Sequence, residues 1–403
     1  MRLIVLLLLL LTLPLSAQTD SPEEPRDDGR HSAGRVRLGG DEGFGAGTAT
    51  SDPTALEGPS RIETVLFNSR RFNTVDLTLH YLRRLSDNQD LLLEVQGGPT
   101  SLGGDFSYSF SDHLTVNVSG SSGRNPAFEQ GLTRVYLANG EEPYFRSLGG
   151  GLEYSDQPCD ELGLAAALNY QAVTVGDSLL GPVVAPPVDQ LGNRLTFSPG
   201  GHDELLTLNF VGQLNILDQM VNPSDGTRLR FQLEQAIPVG DSQITSTTAA
   251  ANLAQLVPMP GPGEGSSYLL INLQGGAIGG DVPPYRAFNL GGSNSVRGYQ
   301  LGGLSTGSSF LQATLEYRGS LTRFELLGHE LELKGVLFFD YGSDLGTADR
   351  VLGQPGVARQ KPGEGIGYGA GLYFFSDVGL FRLEAGWNQQ GQNQLFFTLG
   401  DRF

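Results

Sequence analysis

The chain has 403 residues and a formal net charge of −18, with 57 glycines and charged residues at only 17% of positions. Set against a usual glycine share of about 7% and a charged share of about a quarter, this composition belongs to a chain of short strands. The acidic balance excludes nucleic acid as a partner, the single cysteine, Cys159, excludes a disulfide framework or a thiolate zinc cluster, and the lack of any run of about eighteen apolar residues after position 17 excludes a helical membrane protein.

Met1-Arg2 leads into the aliphatic run Leu3–Leu13 and then Pro14-Leu15-Ser16-Ala17. A basic start, a short apolar core and a small residue at the end read as a secretory signal over residues 1–17, cut after Ala17, so the mature protein is exported. Residues 18–34 are acidic and proline-rich and are expected to be a disordered linker. Over 35–98 the pattern is mixed. Arg35–Leu38 reads as a strand, and Ile62, Val65 and Leu66 suit a short helix within 61–71. Val75–Leu79 and Leu91–Val95 read as two strands joined around Asp87-Asn88. This segment is taken as a small α+β module with little core of its own.

From Ser101 onward alternation dominates, as in strands with two different faces. Leu311, Ala313, Leu315 and Tyr317 alternate with Gln312, Thr314, Glu316 and Arg318. Leu331, Leu333, Leu337, Phe339 and Tyr341 oppose Glu332, Lys334 and Asp340; Phe381, Leu383, Ala385 and Trp387 oppose Arg382 and Glu384. Leu229, Phe231 and Leu233 oppose Arg228, Arg230, Gln232 and Glu234. Further strands are expected near 101–110, 112–121, 130–138, 145–155, 161–174, 203–215, 245–257, 267–277, 366–375 and 394–403, fourteen in all.

A soluble sandwich alternates too. Here the polar faces carry both charge signs and many glycines, which suits a lumen, and the apolar faces end in aromatics such as Tyr317, Tyr341, Trp387 and Phe403. With the export signal, this makes residues 101–403 an outer-membrane β-barrel: all-β, transmembrane and antiparallel, with closure pairing every backbone group away from water. The last strand, 394–403, carries Phe397, Leu399 and the terminal Phe403, which we take as a C-terminal barrel signal. Short connections at 389–393 and 376–379 and long ones at 342–365 and 278–307 put the carboxyl terminus in the periplasm and the long loops outside; the connection 319–330 is intermediate and fits less well.

The 278–307 loop reads Pro283-Pro284-Tyr285-Arg286-Ala287-Phe288-Asn289-Leu290-Gly291-Gly292, then Ser293-Asn294-Ser295-Val296-Arg297-Gly298-Tyr299. It resembles the signature loop of the bacterial surface antigen superfamily, the BamA-like and FhaC-like outer-membrane barrels with relatives in mitochondrial and plastid translocons. Asn222-Pro223 to Gly226, the strand to Gly240, Phe338-Phe339-Asp340-Tyr341-Gly342, Gly365–Gly369, Val378–Leu383 and Gly400-Asp401-Arg402-Phe403 resemble that family's other motifs in order. The resemblance covers about 203–403 and implies sixteen strands where the residues give fourteen. It implies that the loop folds into the barrel and that its Arg297 meets Asp340 on the Phe-x-Asp strand, with Glu316 the second choice. Residue chemistry permits this independently, because Asp340, Glu316 and Glu384 share lumen parity and a planar guanidinium holds a carboxylate bidentately. Gly291, Gly292 and Gly298 would let the loop turn sharply.

Such families also carry periplasmic polypeptide-transport (POTRA) domains, and Phe67–Pro99 resembles the second half of one, so 35–98 is expected to be a degenerate POTRA-like module. By the same resemblance the first strand (101–110, loosened by Gly103 and Gly104) and the last (394–403) would form a weak seam. The implied role is protein assembly, insertion or polypeptide translocation at the outer membrane of a diderm bacterium, non-enzymatic, with the N-terminal module periplasmic. Outer-membrane lipid and unfolded clients or assembly-complex subunits are the implied partners. A passive or structural pore and a partner-specific two-partner secretion channel remain alternatives. The five histidines, His31, His80, His113, His202 and His329, lack ligand spacing, Ser111-Asp112-His113 reads as a turn, and Gly363–Gly371 lacks a phosphate-loop lysine, so no metal, cofactor or catalytic centre is expected.

Overall fold

Strands that alternate polar and apolar residues need two different surroundings, and this chain provides them by curling one antiparallel sheet on itself. The computed structural model describes residues 61–71, 74–86, 88–97, 101–129, 135–219, 223–263, 265–326, 329–376, 379–399 and 402. In chain order the strands are β1 (Arg61–Arg71), β2 (Thr74–Ser86), β3 (Gln89–Gly97), β4 (Ser101–Ser109), β5 (Leu114–Gly123) and β6 (Tyr144–Cys159). Next come β7 (Leu162–Gly176), β8 (His202–Leu217), β9 (Gly226–Ile237), β10 (Ser246–Pro258), β11 (Tyr268–Gly280) and the short β12 (Phe288–Leu290) and β13 (Ser305–Gly307). The last five are β14 (Ser309–Leu326), β15 (His329–Ser343), β16 (Glu364–Ser376), β17 (Gly379–Asn388) and β18 (Asn393–Leu399). Among the described residues sixteen of these form one sheet in sequence order, with β12 and β13 set apart as a pair. The two ends of the order, β1 and β18, come side by side, so the sheet closes into a barrel.

The barrel is inverted relative to a soluble protein. Leu148, Leu152, Leu208, Leu315, Leu337 and Phe339 point outward and are exposed, while Gln312, Glu316, Lys334, Asp340 and Glu384 point inward and are buried. Leu337, 62% exposed near the middle of β15, therefore belongs in lipid. Leu337→Arg is expected to cost about 2–4 kcal/mol, read as a lower urea midpoint for unfolding from vesicles.

Thirteen of the fourteen sequence-derived strands are strands of the sheet, and β1–β3 complete the sixteen. The segment 130–138 is not among them; Leu137 makes a single bridge to Asp189. The larger correction concerns the amino-terminal side. Residues 61–97 form the first three barrel strands, so the POTRA-like reading of 35–98 does not hold over that span, the barrel does not begin at 101, and the strand at the seam is β1 rather than β4. The expected helix at 61–71 is strand β1, where a register shift between Glu63 and Val65 breaks the two-residue phase and leaves apolar positions at helix-like spacing. In β3 the continuous run Leu91-Leu92-Leu93 hides the alternation, although Leu92 is turned inward (8% exposed) and Leu93 and Val95 outward (38% and 42%). The signal, the linker and residues 35–60 lie outside the described residues.

The four longest connections fall at the same end of the barrel. At one end only two residues separate β2 from β3, β6 from β7, β14 from β15 and β16 from β17, and the other end carries the long connections 124–143, 177–201, 281–308 and 344–363. The intermediate connection expected at 319–330 disappears. After a bulge between Ser320 and Thr322 that inverts the alternation, β14 runs on to Leu326, so that only two residues separate it from β15.

Candidate functional site

The β11–β14 loop begins by zipping its own arms together. Phe288 pairs with Gly307, Asn289 with Thr306 and Leu290 with Ser305. Its tip then carries Val296 and Tyr299 into a buried apolar cluster with Leu290, Leu304 and Phe310, which gives the loop a reason to remain inside. Gly291, Gly292 and Gly298 have φ of +112°, +108° and +95°, a region that costs other residues heavily. At Gly298 a Cβ would also strike the Trp387–Asn388 peptide. In its place the Asn388 side-chain amide donates to the Gly298 carbonyl at 3.1 Å, and the Tyr299 hydroxyl donates to Gln390 Oε1 at 2.9 Å.

This docking brings Arg297 to the inner wall with its side chain fully buried. Nε donates to Asp340 Oδ2 at 2.7 Å and Nη2 to Oδ1 at 2.9 Å, a bidentate fork, and the Arg297 backbone N–H adds a third bond to Oδ2 at 3.1 Å. Nη1 donates to Glu316 Oε2 and to Glu384 Oε1, both at 2.6 Å. The guanidinium carbon also lies 3.4 Å from the Phe338 ring centroid, a stacking contact available to a planar cation. Three carboxylates from β14, β15 and β17 therefore converge on one loop arginine.

A shell of further charges keeps those carboxylates apart and oriented. Arg318 Nε donates to Glu316 Oε1 at 2.7 Å, and Thr314 Oγ1 donates to Asp340 Oδ1 at 2.8 Å. The Tyr373 hydroxyl lies 2.9 Å from Glu384 Oε1, and Arg382 reaches back to the loop by donating to Asn294 Oδ1 at 2.9 Å. Arg402, just past β18, donates from Nη2 to the Ser295 carbonyl at 2.5 Å and stands 3.5 Å from Asp340 Oδ1. Four arginines thus surround three carboxylates without bulk water. Such a cluster binds and orients a loop through charge-assisted hydrogen bonds, and each bond is costly to leave half-made.

The structure brings together Gly291, Gly292, Val296, Arg297, Gly298, Tyr299, Asp340 and Glu316, and it adds Glu384 as an equal partner. Sequence reasoning noted Glu384 only for its parity and passed over Arg382, Arg318, Tyr373 and Arg402 as site residues; the signal for the first two was charge at lumen parity. Phe397 lies half-buried on β18, Leu399 ends that strand in register with Phe381, and Phe403 lies outside the described residues. Ser111-Asp112-His113 forms the β4–β5 turn, with Ser111 Oγ accepting from the Leu114 backbone N–H at 3.0 Å.

Residues 85–403 match the Omp85 superfamily domain. The chain belongs to the Omp85 superfamily. Among similar Omp85-related chains, outer envelope protein 80, chloroplastic, of Arabidopsis thaliana is 28% identical over 320 residues, covering 78% of this chain and 41% of that one. Outer envelope protein 39, chloroplastic, of the same plant is 31% identical over 249 residues, covering 61% of this chain and 63% of that one. The fold is shared with BamA from Haemophilus ducreyi lacking POTRA domains 1–3, at a TM-score of 0.57 and 12% identity over 81% of this chain and 66% of that one. CdiB from Acinetobacter baumannii superposes at 0.51, also 12% identical, over 83% and 57% of the two chains. This Omp85 barrel therefore spans less than two thirds of the length of these relatives.

Proposed function

We propose that this barrel is a non-enzymatic outer-membrane device that inserts or translocates polypeptides, with the 281–308 loop as its internal arm. The observation that carries the reading is Arg297, a loop-tip cation buried on three wall carboxylates. A loop that only decorated a pore would not be worth the desolvation of seven charged groups. In this reading β1 and β18, which abut at the two ends of the sheet order, form the seam, and unfolded polypeptide clients add strands at those edges. The signal-like residues 1–17 favour the outer membrane of a diderm bacterium with both chain ends periplasmic, and the chloroplast-envelope relatives extend the expectation to an organelle of that descent. A half-exposed hydrophilic wall along β5, β6 and β9 favours a second reading, a passive pore.

Depletion in the native host discriminates. Loss of an assembly factor lowers many outer-membrane barrels together, and loss of a secretion channel removes one exported partner. If depletion changes only solute uptake, with membrane-protein levels intact, the pore reading replaces the proposal.

A further inference from the structure

The tip of the arm is held by β14, β15 and β17, but its base is held elsewhere. The two limbs differ in length. On the return limb Ser308 alone separates β13 from β14. The outgoing limb has seven residues, 281–287, between β11 and β12, and a segment of that length stays in one place only if something fixes it. Pro283 and Pro284 set the backbone for a 3-10 turn over Pro284–Arg286, closed by the Arg286 N–H on the Pro283 carbonyl at 2.9 Å. From that turn two consecutive side chains reach two different strands. The Tyr285 hydroxyl donates to Asp203 Oδ2 of β8 at 2.7 Å, and Arg286 Nη2 donates to Glu234 Oε1 of β9.

Neither of those strands flanks the loop. β8 and β9 are the eighth and ninth of the sixteen, whereas the tip carboxylates sit on the twelfth, thirteenth and fifteenth. The β12–β13 hairpin is therefore slung between two separate stretches of wall. Its two polar anchors share no residue. Asp203 is fully buried and also accepts from the backbone N–H groups of Phe197 and Ser198, at 2.6 Å each, so its position does not depend on the tip. Glu234 is nearly as buried, at 5% exposed, which makes its arginine costly to withdraw. What joins base to tip is apolar: Val282, Ala287 and Phe288 lie in one cluster with Val296 and Tyr299. Apolar contacts have no preferred direction, so the hairpin can turn about its base while the polar anchor there stays made.

We infer that Tyr285 and Arg286 are positioning residues that form the pivot of the arm, so that the tip leaves and re-enters the lumen as a lever hinged at Asp203 and Glu234. A tethered tip returns at a high effective concentration, which an arm that cycles requires. The inference rests on the reading of 281–308 as a working arm and names the residues that place it. Hydrogen exchange on the full chain, folded in phosphatidylcholine vesicles, tests it without any client, with heat-shifted gel mobility showing that each barrel is folded. Release of the tip by Arg297→Ala should leave exchange over 285–288 within about threefold of the parent while 291–304 opens. Adding Arg286→Met to that variant should speed exchange over 285–288 by about tenfold or more, the loss of one charge-assisted hydrogen bond. Tyr285→Phe, which deletes only the hydroxyl, should act in the same direction and disturbs the packing least. The swap Arg286→Glu with Glu234→Arg should restore protection, which a purely packing role for Arg286 would not allow. If 285–288 opens together with 291–304 in Arg297→Ala, or if Arg286→Met alone frees 291–304 as fully as Arg297→Ala does, the loop moves as one unit and the pivot is overturned. Either result leaves the polypeptide reading to the depletion experiment.

Discussion

Arg297→Ala is expected to release the 281–308 loop from the lumen while the sixteen-stranded sheet stays folded. Removing one partner from a buried ion pair costs about 3–5 kcal/mol, because the other is left desolvated. Asp340 would lose both arms of the fork and Glu316 and Glu384 a 2.6 Å bond each. Arg318, Arg382 and Arg402 remain against the three carboxylates, so the wall keeps its charge balance and the damage falls on the loop. Amide hydrogen exchange checks this directly. Protection over 291–304 should fall by about a hundredfold or more, at about 1.4 kcal/mol per tenfold, with the strands unchanged. Arg297→Lys should fall between the two, since it keeps the charge and loses the planar fork. Client assembly should follow loop protection across the series. Full activity with an unprotected loop would separate the arm from the function.

Gly367→Ala should have nearly the same effect from the opposite side of the contact. In β16 every inward position from 365 to 371 is glycine, while Tyr368 and Leu372 face outward. A Cβ on Gly367 would land on the Arg297 carbonyl oxygen, and one on Gly365 would meet the Tyr299 hydroxyl. Backbone pressed against backbone leaves no room for relaxation, so even a methyl group costs about 1–3 kcal/mol or more. The arm must rise off the wall, taking the guanidinium out of reach of Asp340. Ala370→Leu, on the outward face of the same strand, is the control and should leave exchange over 291–304 unchanged. If Gly367→Ala retains parental protection there, the arm does not lie on this strand.

Much of the site was legible because its signals are local. The two-residue period alone places Glu316, Asp340 and Glu384 on the lumen face, and the 291–299 stretch marks the arm by its resemblance to a known loop. The glycines at 365, 367, 369 and 371 were equally visible. They were read only as strand, although glycine at every second position marks a wall against which another backbone lies. Arg402 was not legible as a site residue, because its role depends on where the end of β18 falls beside the loop, at the Ser295 carbonyl.

What the amino-acid sequence determined by itself is the kind of barrel this is. Side-chain alternation is set residue by residue, so the outward apolar and inward charged faces of β14, β15 and β17 follow from composition order alone. Only the tertiary structure decided where the barrel begins and what holds its loops. The shift at Glu63/Val65 and the bulge at Ser320/Thr322 each break the period locally, and their strands are recovered only by pairing with neighbours already in register. The joining of Arg359 to Asp189 across 170 residues, and of one arginine to carboxylates on three strands, exists only once the sheet has closed. Closure fixes which inward positions share a level of the lumen, and no local pattern carries that information.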